Sequence, residues 1–329
     1  MIIKQILSRL GQMIIVLFVL STITFILMKL SPGDPVNKLL HIDVANVSQD
    51  KIDAVRDKLG LNQPVLIQWW EWFTRILHLD FGTSIQTGEP VMSELLYFTP
   101  PTLIIAGFTL ILTLLISVSL GTIAAVYYHT WLDRLIRILT SAFVSIPSFF
   151  LGIILIYLFS QKMQLLPSSG IDSAAGYIMP VIALSIGLCA YHVRLMRSTL
   201  IDLYQSKEVA ASRARGMSER YILFADIFKP ALIPVISILG MSVGGLIGST
   251  VVIENLFDIP GICYFLVESI RSRDYPVVQG AVLMIGCFVV VSNAIADIIV
   301  LFLDPKQRYT HLKKKARLRN SRKGQVKQR

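Results

Sequence analysis

Six stretches of this chain run for about the thickness of a bilayer with almost no charge. Residues 10–28, 103–126, 138–160, 177–193 and 231–253 contain no Asp, Glu, Lys or Arg, and 277–303 contains only Asp297. A helix needs about 20 apolar residues to cross the hydrocarbon core, where no water satisfies an exposed backbone group. The pattern therefore predicts an all-α integral membrane protein with six transmembrane helices, over 10–30, 103–126, 138–160, 177–193, 231–253 and 277–303. Composition agrees, since 54% of the 329 residues are hydrophobic and only 16% are charged, against about 25% charged in soluble domains. A soluble monomer could not hide that much apolar surface. The first run is too long for a signal-peptide core, and Ser31-Pro32-Gly33-Asp34 after it does not form a small-residue cleavage site, so it reads as a retained span.

Six spans put both termini on one side, and the basic residues decide which. Segments 1–9, 127–137, 194–230 and 304–329 hold 22 of the 31 Lys and Arg and only six acids. By the positive-inside rule these four are cytoplasmic. The opposite side receives 31–102, 161–176 and 254–276, and the first of these carries nine acids against five bases. The net charge of +10 is thus an orientation record plus a basic tail.

Segment 31–102 carries helical signals of its own. Ser48 is placed to cap a helix over 49–59, with Asp50 and Asp53 near its positive end and Gly60 beyond it. A second amphipathic stretch, 65–79, includes Trp69, Trp70, Trp72 and Phe73. Aromatics at the end of a span commonly sit at headgroup level; the functional reading is an external platform that touches a partner.

Several function classes are disfavoured. Ion-coupled carriers and voltage sensors need ionisable groups inside the membrane, and here only Asp297 lies within a span, with Lys29 at the margin of the first. Asp297 is expected to be interfacial and paired with Arg194 or Arg197. No HExxH, CxxC or Gly-rich loop ending in Gly-Lys-Ser/Thr is present, and the GxSxG match over 240–244 lies inside an apolar run and not at a strand-to-helix turn, so no catalytic residue is assigned and the chain is expected to bind no ATP. Cys189, Cys263 and Cys287 are too scattered for a disulfide framework or zinc site. His41, His78, His129, His192 and His311 are never at ligand spacing on one helix face, so no metal ligand and no cofactor is assigned. In the fifth span Gly240, Gly244 and Gly248 recur four apart, with Gly245 alongside. Such spacing lets helices approach closely, and it also suits a span that lines a translocation path.

The 194–230 segment is the most informative. Ser206 can cap a short helix whose first turn holds Glu208, and Ala210, Ala211 and Ala214 then fall on one face. Gly216 supplies the stop, and Ser218 can cap a next helix over 219–228 that ends before Pro230. An alanine-paved helix of about ten residues, roughly 15 Å long, suits docking into a groove on another protein.

The run Glu208-Val-Ala210-Ala211-Ser-Arg-Ala214-Arg-Gly216, followed by Ile227 and Pro230, resembles the EAA loop of ABC-importer permeases. It departs from the usual form at Val209 and in a proline one place further on. Ser31-Pro-Gly-Asp-Pro-Val36, Leu59-Gly-Leu-Asn-Gln-Pro64, Asp80-Phe-Gly-Thr-Ser84, Gly88-Glu-Pro-Val91, Leu166-Pro-Ser-Ser-Gly170 and Arg194-Leu-Met-Arg197 are similar to the dipeptide/oligopeptide/nickel permease family. So are Val252-Ile-Glu254-Asn255, Asp258-Ile-Pro260-Gly261, Arg273-Asp-Tyr-Pro276 and Leu303-Asp-Pro305. Together they resemble the first permease subunit of Gram-positive nickel-import systems, over residues 1 to about 308.

The resemblance implies a type I ABC-importer permease in the cytoplasmic membrane, working with a second homologous permease, two cytoplasmic ABC ATPases and an extracytoplasmic solute-binding protein. ATP and Mg would be used by those ATPases, and Glu208, Ala210, Ala211, Ala214 and Gly216 would couple to them. The cargo would be nickel as a chelate, or a di- or oligopeptide carried by the same architecture. Two other classes stay open: a passive channel or ion-coupled carrier, and a membrane scaffold whose tail binds nucleic acid. The run 313–329 reads more simply as a segment near anionic headgroups of the lipid bilayer, with no nucleic-acid partner.

Overall fold

A computed structural model describes residues 2–30, 36, 48–58, 60 and 62–303. Motif residues 31–35, Leu59 and Leu61, together with His41, His311, Asp304, Pro305 and the basic tail 304–329, lie outside the described residues. Within them the chain is helical. Among the described residues the only extended pairing is an isolated antiparallel bridge between Thr83 and Pro90.

The helices in chain order are α1 Ile2–Leu30, α2 Gln49–Lys58, α3 Val65–Leu77, α4 Val91–Val126, α5 Trp131–Val144, α6 Ser148–Leu155, α7 Ile178–Tyr204, α8 Lys207–Ala214, α9 Glu219–Tyr221, α10 Phe228–Met241, α11 Val243–Leu256, α12 Ile262–Ser272 and α13 Tyr275–Leu303. Wider π-type turns extend α6 over Ile156–Lys162 and join α9 to α10 over Ile222–Ile227. Among the described residues four helical stretches are long and apolar enough to cross a membrane: Val91–Val126, Ala174–Tyr204, Glu219–Met241 and Tyr275–Leu303. Counting Trp131–Val144 with Ser148–Lys162 as one broken span makes five, and Ile14–Leu30 and Val243–Leu256 are shorter apolar helices. Outward apolar side chains such as Ile15, Leu115 and Phe302, each more than half exposed, are stable in lipid and would be a liability in water.

Two apolar runs and one loop helix differ in detail from their sequence expectation. Run 138–160 is interrupted between α5 and α6 at Ser145, Ile146 and Pro147, because proline disfavours helical geometry in the residue before it. The helix expected to end before Pro230 instead continues from Glu219 to Met241. The π-type turn resets the ladder, so Pro230 is the third residue of α10, where a missing N–H leaves no bond unmade. Run 231–253 is itself divided at Ser242, whose N–H donates to the Ile238 carbonyl at 2.9 Å.

The described residues form two compact units. The first draws on the described residues up to Phe108, with Ser148–Leu184 and Gly244–Val291; the second draws on Thr109–Pro147, Ser185–Val243 and the described residues from Ser292 onward. In the first, Phe25, Trp72 and Leu283 form a buried cluster joined by Trp69 and Phe73. Phe18 meets Trp69 and Phe73 edge-on at 5.9 and 5.2 Å. Most of the α3 aromatics expected at headgroup level therefore pin α3 to α1, and Trp70 stays 59% exposed.

Two buried acids fasten chain turns in this unit. Asp274 Oδ2 accepts from the Ser84 hydroxyl at 2.5 Å and from the Gln86 N–H at 3.1 Å. Glu254, fully buried, accepts from the Thr102 hydroxyl at 2.5 Å and the Tyr264 N–H at 2.7 Å. The second contact satisfies a free donor at the start of α12. Gly261 lies so close that an added Cβ would come within 2.2 Å of that carboxylate.

The second unit is built on the close approach of α4 and α7. Ser185 and Cys189 point their polar atoms at the carbonyls of Thr109 and Thr113, and a Cβ on Gly121 would meet Met196 Cβ at 2.6 Å. The contacts advance in the same direction along both helices, so α4 and α7 are parallel here. Below them Met196, Leu200, Val209, Ile222, Ile227, Ala231 and Val235 form one buried core.

Candidate functional site

Helix α8 is held to that core by a few inward residues and shows the rest of its surface. Ser206 caps it, its hydroxyl accepting from the Val209 N–H at 3.4 Å, and Glu208 lies in the first turn, favourable to the helix dipole. Val209 and Ser212 are each only 2% exposed. Val209 joins the core, while the Ser212 hydroxyl donates to Asp226 Oδ2 at 2.7 Å and accepts from Arg215 Nη2 at 3.1 Å. Arg213 grips Glu219 with two hydrogen bonds of 2.7 and 3.1 Å. Those bonds raise the Arg213 pKa above its ordinary value.

Glu208, Ala210, Ala211, Ala214 and Gly216 are all exposed, so the residues singled out from the sequence lie together on the unburied side of one helix. The helix is eight residues long, about 12 Å, somewhat shorter than expected. Gly216 takes φ 78°, the left-handed geometry that ends α8 and turns the chain toward Ser218. A rigid helix with anchored inner residues and a methyl-studded outer face can fit a groove closely and transmit a push, because little side-chain freedom is lost on contact.

The glycine stripe behaves differently along its length. Gly240 touches α13 so closely that a Cβ there would meet Ala296 Cβ at 2.3 Å. At Gly244 a Cβ would make ordinary contact with Val289 at 3.7 Å, and at Gly245 and Gly248 it would meet nothing within 4 Å. Helix packing thus explains Gly240, while Gly245 and Gly248 face open space.

Arg197, one of the two bases expected to pair with Asp297, is engaged by another acid. Arg197 Nε and Nη2 donate to Asp133 Oδ1 and Oδ2 at 2.6 and 2.8 Å, and Asp133 is buried. Asp133 stands 64 residues away in sequence, beyond any helical spacing rule, and its only signal was a lone acid in a basic loop. The Ser212–Asp226 tie was missed for the same reason. Among the histidines, His192 is buried with Nδ1 at 2.9 Å from the Leu188 carbonyl, and His78 Nδ1 lies 2.9 Å from the Thr74 carbonyl. No group of three or more His, Cys, Asp or Glu among the described residues could hold a metal ion.

Several helices of membrane-crossing length and composition mark a multi-pass membrane protein. The chain belongs to the family of binding-protein-dependent transport system inner membrane components, whose main region matches residues 117–309 and whose N-terminal region matches 2–106. It is a multi-pass permease subunit and not the ATPase. The nickel import system permease protein NikB of Staphylococcus aureus strain USA300 is 56% identical over 309 residues, 93% of this chain and 92% of that protein. NikB of the bovine strain RF122 gives the same identity and coverage. A chain of the inward-facing MetNI methionine ABC transporter matches 65% of this chain and 97% of its own length, with a TM-score of 0.55 at 17% identity. That likeness shows the fold.

Proposed function

We propose that this chain is the nickel-carrying permease of an ATP-driven importer, passing the metal as a chelate across the cytoplasmic membrane by alternating access. The observation that carries the reading is 56% identity to a nickel import permease over nearly the whole of both chains. Substrate selection then rests largely with an extracytoplasmic binding protein that meets segments 31–102 and 254–276. A chelated ion travels as a small organic solute, so the permease needs no cage of metal ligands.

In this reading there are six spans with both termini cytoplasmic, and the parallel course of α4 and α7 supports it, because spans two and four of an alternating topology run the same way. Helix α8 docks on one of two cytoplasmic ATPases, which use ATP and Mg, and a second homologous permease completes the path. Closure of the ATPases moves α8 and reorients the spans. Gly245 and Gly248 are assigned to the path-facing side of the fifth span, and Gly240 and Gly244 to its packing.

The test is uptake in a strain deleted for this gene and complemented by it, comparing labelled nickel with a labelled dipeptide. Restored nickel uptake is expected. Restored dipeptide uptake with no nickel uptake would replace the nickel reading with peptide import.

A further inference from the structure

The second unit contains a cavity of about 460 Å³ lined by Arg137, Tyr191, Arg194, Leu195, Arg197 and Ser198. Three arginines thus line one hollow, and the acid that answers them is Asp133. That carboxylate is committed to Arg197 through the two short hydrogen bonds already described, and Arg137 Nε reaches it only at 3.6 Å. Arg194 forms no hydrogen bond or ion pair among the described residues. One carboxylate against three arginines leaves the lining strongly positive.

The arrangement is also preorganised. Asp133 clamps Arg197 from one side and the Tyr128 ring lies 5.2 Å from its guanidinium carbon, so the charge is held in place before any ligand arrives. Arg137, half-exposed, and Arg194 keep free N–H donors, and guanidinium matches the oxygens of a phosphate in paired hydrogen bonds.

The surroundings of the cavity decide what kind of phosphate fits. Helix α5, which supplies Arg137, begins beside Tyr127, Tyr128 and Trp131, all well exposed, the side chains that favour a membrane–water boundary. Along the same helix Leu135, Ile138 and Leu139 are exposed at 42%, 59% and 46%. Cationic groups are therefore flanked by interfacial aromatics and by aliphatic surface suited to acyl chains. A soluble anion would use the first and gain nothing from the second.

We propose that this cavity binds the phosphodiester headgroup of an anionic glycerophospholipid. Arg194 and Arg137 donate to the phosphate oxygens, Arg197 forms the fixed positive wall, and the acyl chains lie along the outer face of α5. The site does not depend on the cargo or on which side of the membrane it occupies. Its occupancy would brace the end of α7 that leads into α8.

Native mass spectrometry of the full chain in detergent tests this, with phosphatidylglycerol and phosphatidylcholine of identical acyl chains added together. Wild-type protein is expected to retain phosphatidylglycerol preferentially, and equal retention of the two lipids overturns the proposal without recourse to any variant. Arg194→Gln and Arg137→Gln are each expected to lower phosphatidylglycerol retention by about fivefold, the value of one cation near an anionic surface, with phosphatidylcholine unaffected. Retention unchanged in the doubly substituted chain, or lowered as much by Arg271→Gln outside the lining, overturns it. Displacement of the lipid by millimolar inorganic phosphate or ATP would instead assign the cavity to a soluble phosphate and overturn the lipid assignment.

Discussion

Gly216 holds its backbone at φ 78°, a conformation that costs an ordinary L-residue roughly 1–2 kcal/mol. Nothing lies within 4 Å of where its Cβ would be, so a larger residue strains the turn after α8 without striking a neighbour. Gly216→Val is expected to tilt or fray α8. Transport and substrate-stimulated ATP hydrolysis by the assembled importer should fall at least about fivefold, the low end of ordinary coupling between sites, with the chain still in the membrane. Wild-type uptake by that variant in proteoliposomes would remove α8 from the coupling path. This residue was readable because a helix stop needs glycine chemistry at a fixed offset from its cap. Asp133, Asp226 and Glu254 were not, since each finds its partner across a helix interface where no spacing rule applies.

At the scale of the element, the sequence marked each apolar run but not its continuity. Pro147 broke one run, whereas Pro230 was absorbed by another, and both outcomes follow from which hydrogen-bond ladder the proline enters. The fifth span offers a test that separates packing from path. A leucine at Gly240 must displace Ala296, which lies 2.3 Å from the would-be Cβ, so Gly240→Leu is expected to lower the amount of chain in the membrane, as overpacking by roughly 1–3 kcal/mol does. A Cβ at Gly248 meets nothing within 4 Å, so Gly248→Leu is expected to keep membrane abundance while reducing nickel uptake. Immunoblots of membranes alongside uptake assays give both readouts. Full uptake by Gly248→Leu would leave that glycine without a role in the path.

For the whole molecule, charge distribution predicts the orientation, and the shortage of charge in the apolar runs disfavours coupling to an ion. The +10 of the chain lies mainly in the basic loops and in residues 313–329. Deleting 313–329 is expected to leave nickel uptake largely intact, and its complete loss would give the tail a function beyond proximity to headgroups. By itself the sequence determined the membrane class, the runs that become helices, the caps of α8 and the family motifs, because apolar length, capping and turn chemistry act over a few residues. Only the tertiary structure decided that Arg197 belongs to Asp133, that Gly240 packs while Gly248 stays open, and that three arginines surround one cavity. Those depend on which helix faces meet, and that is settled by close packing between segments far apart in the chain.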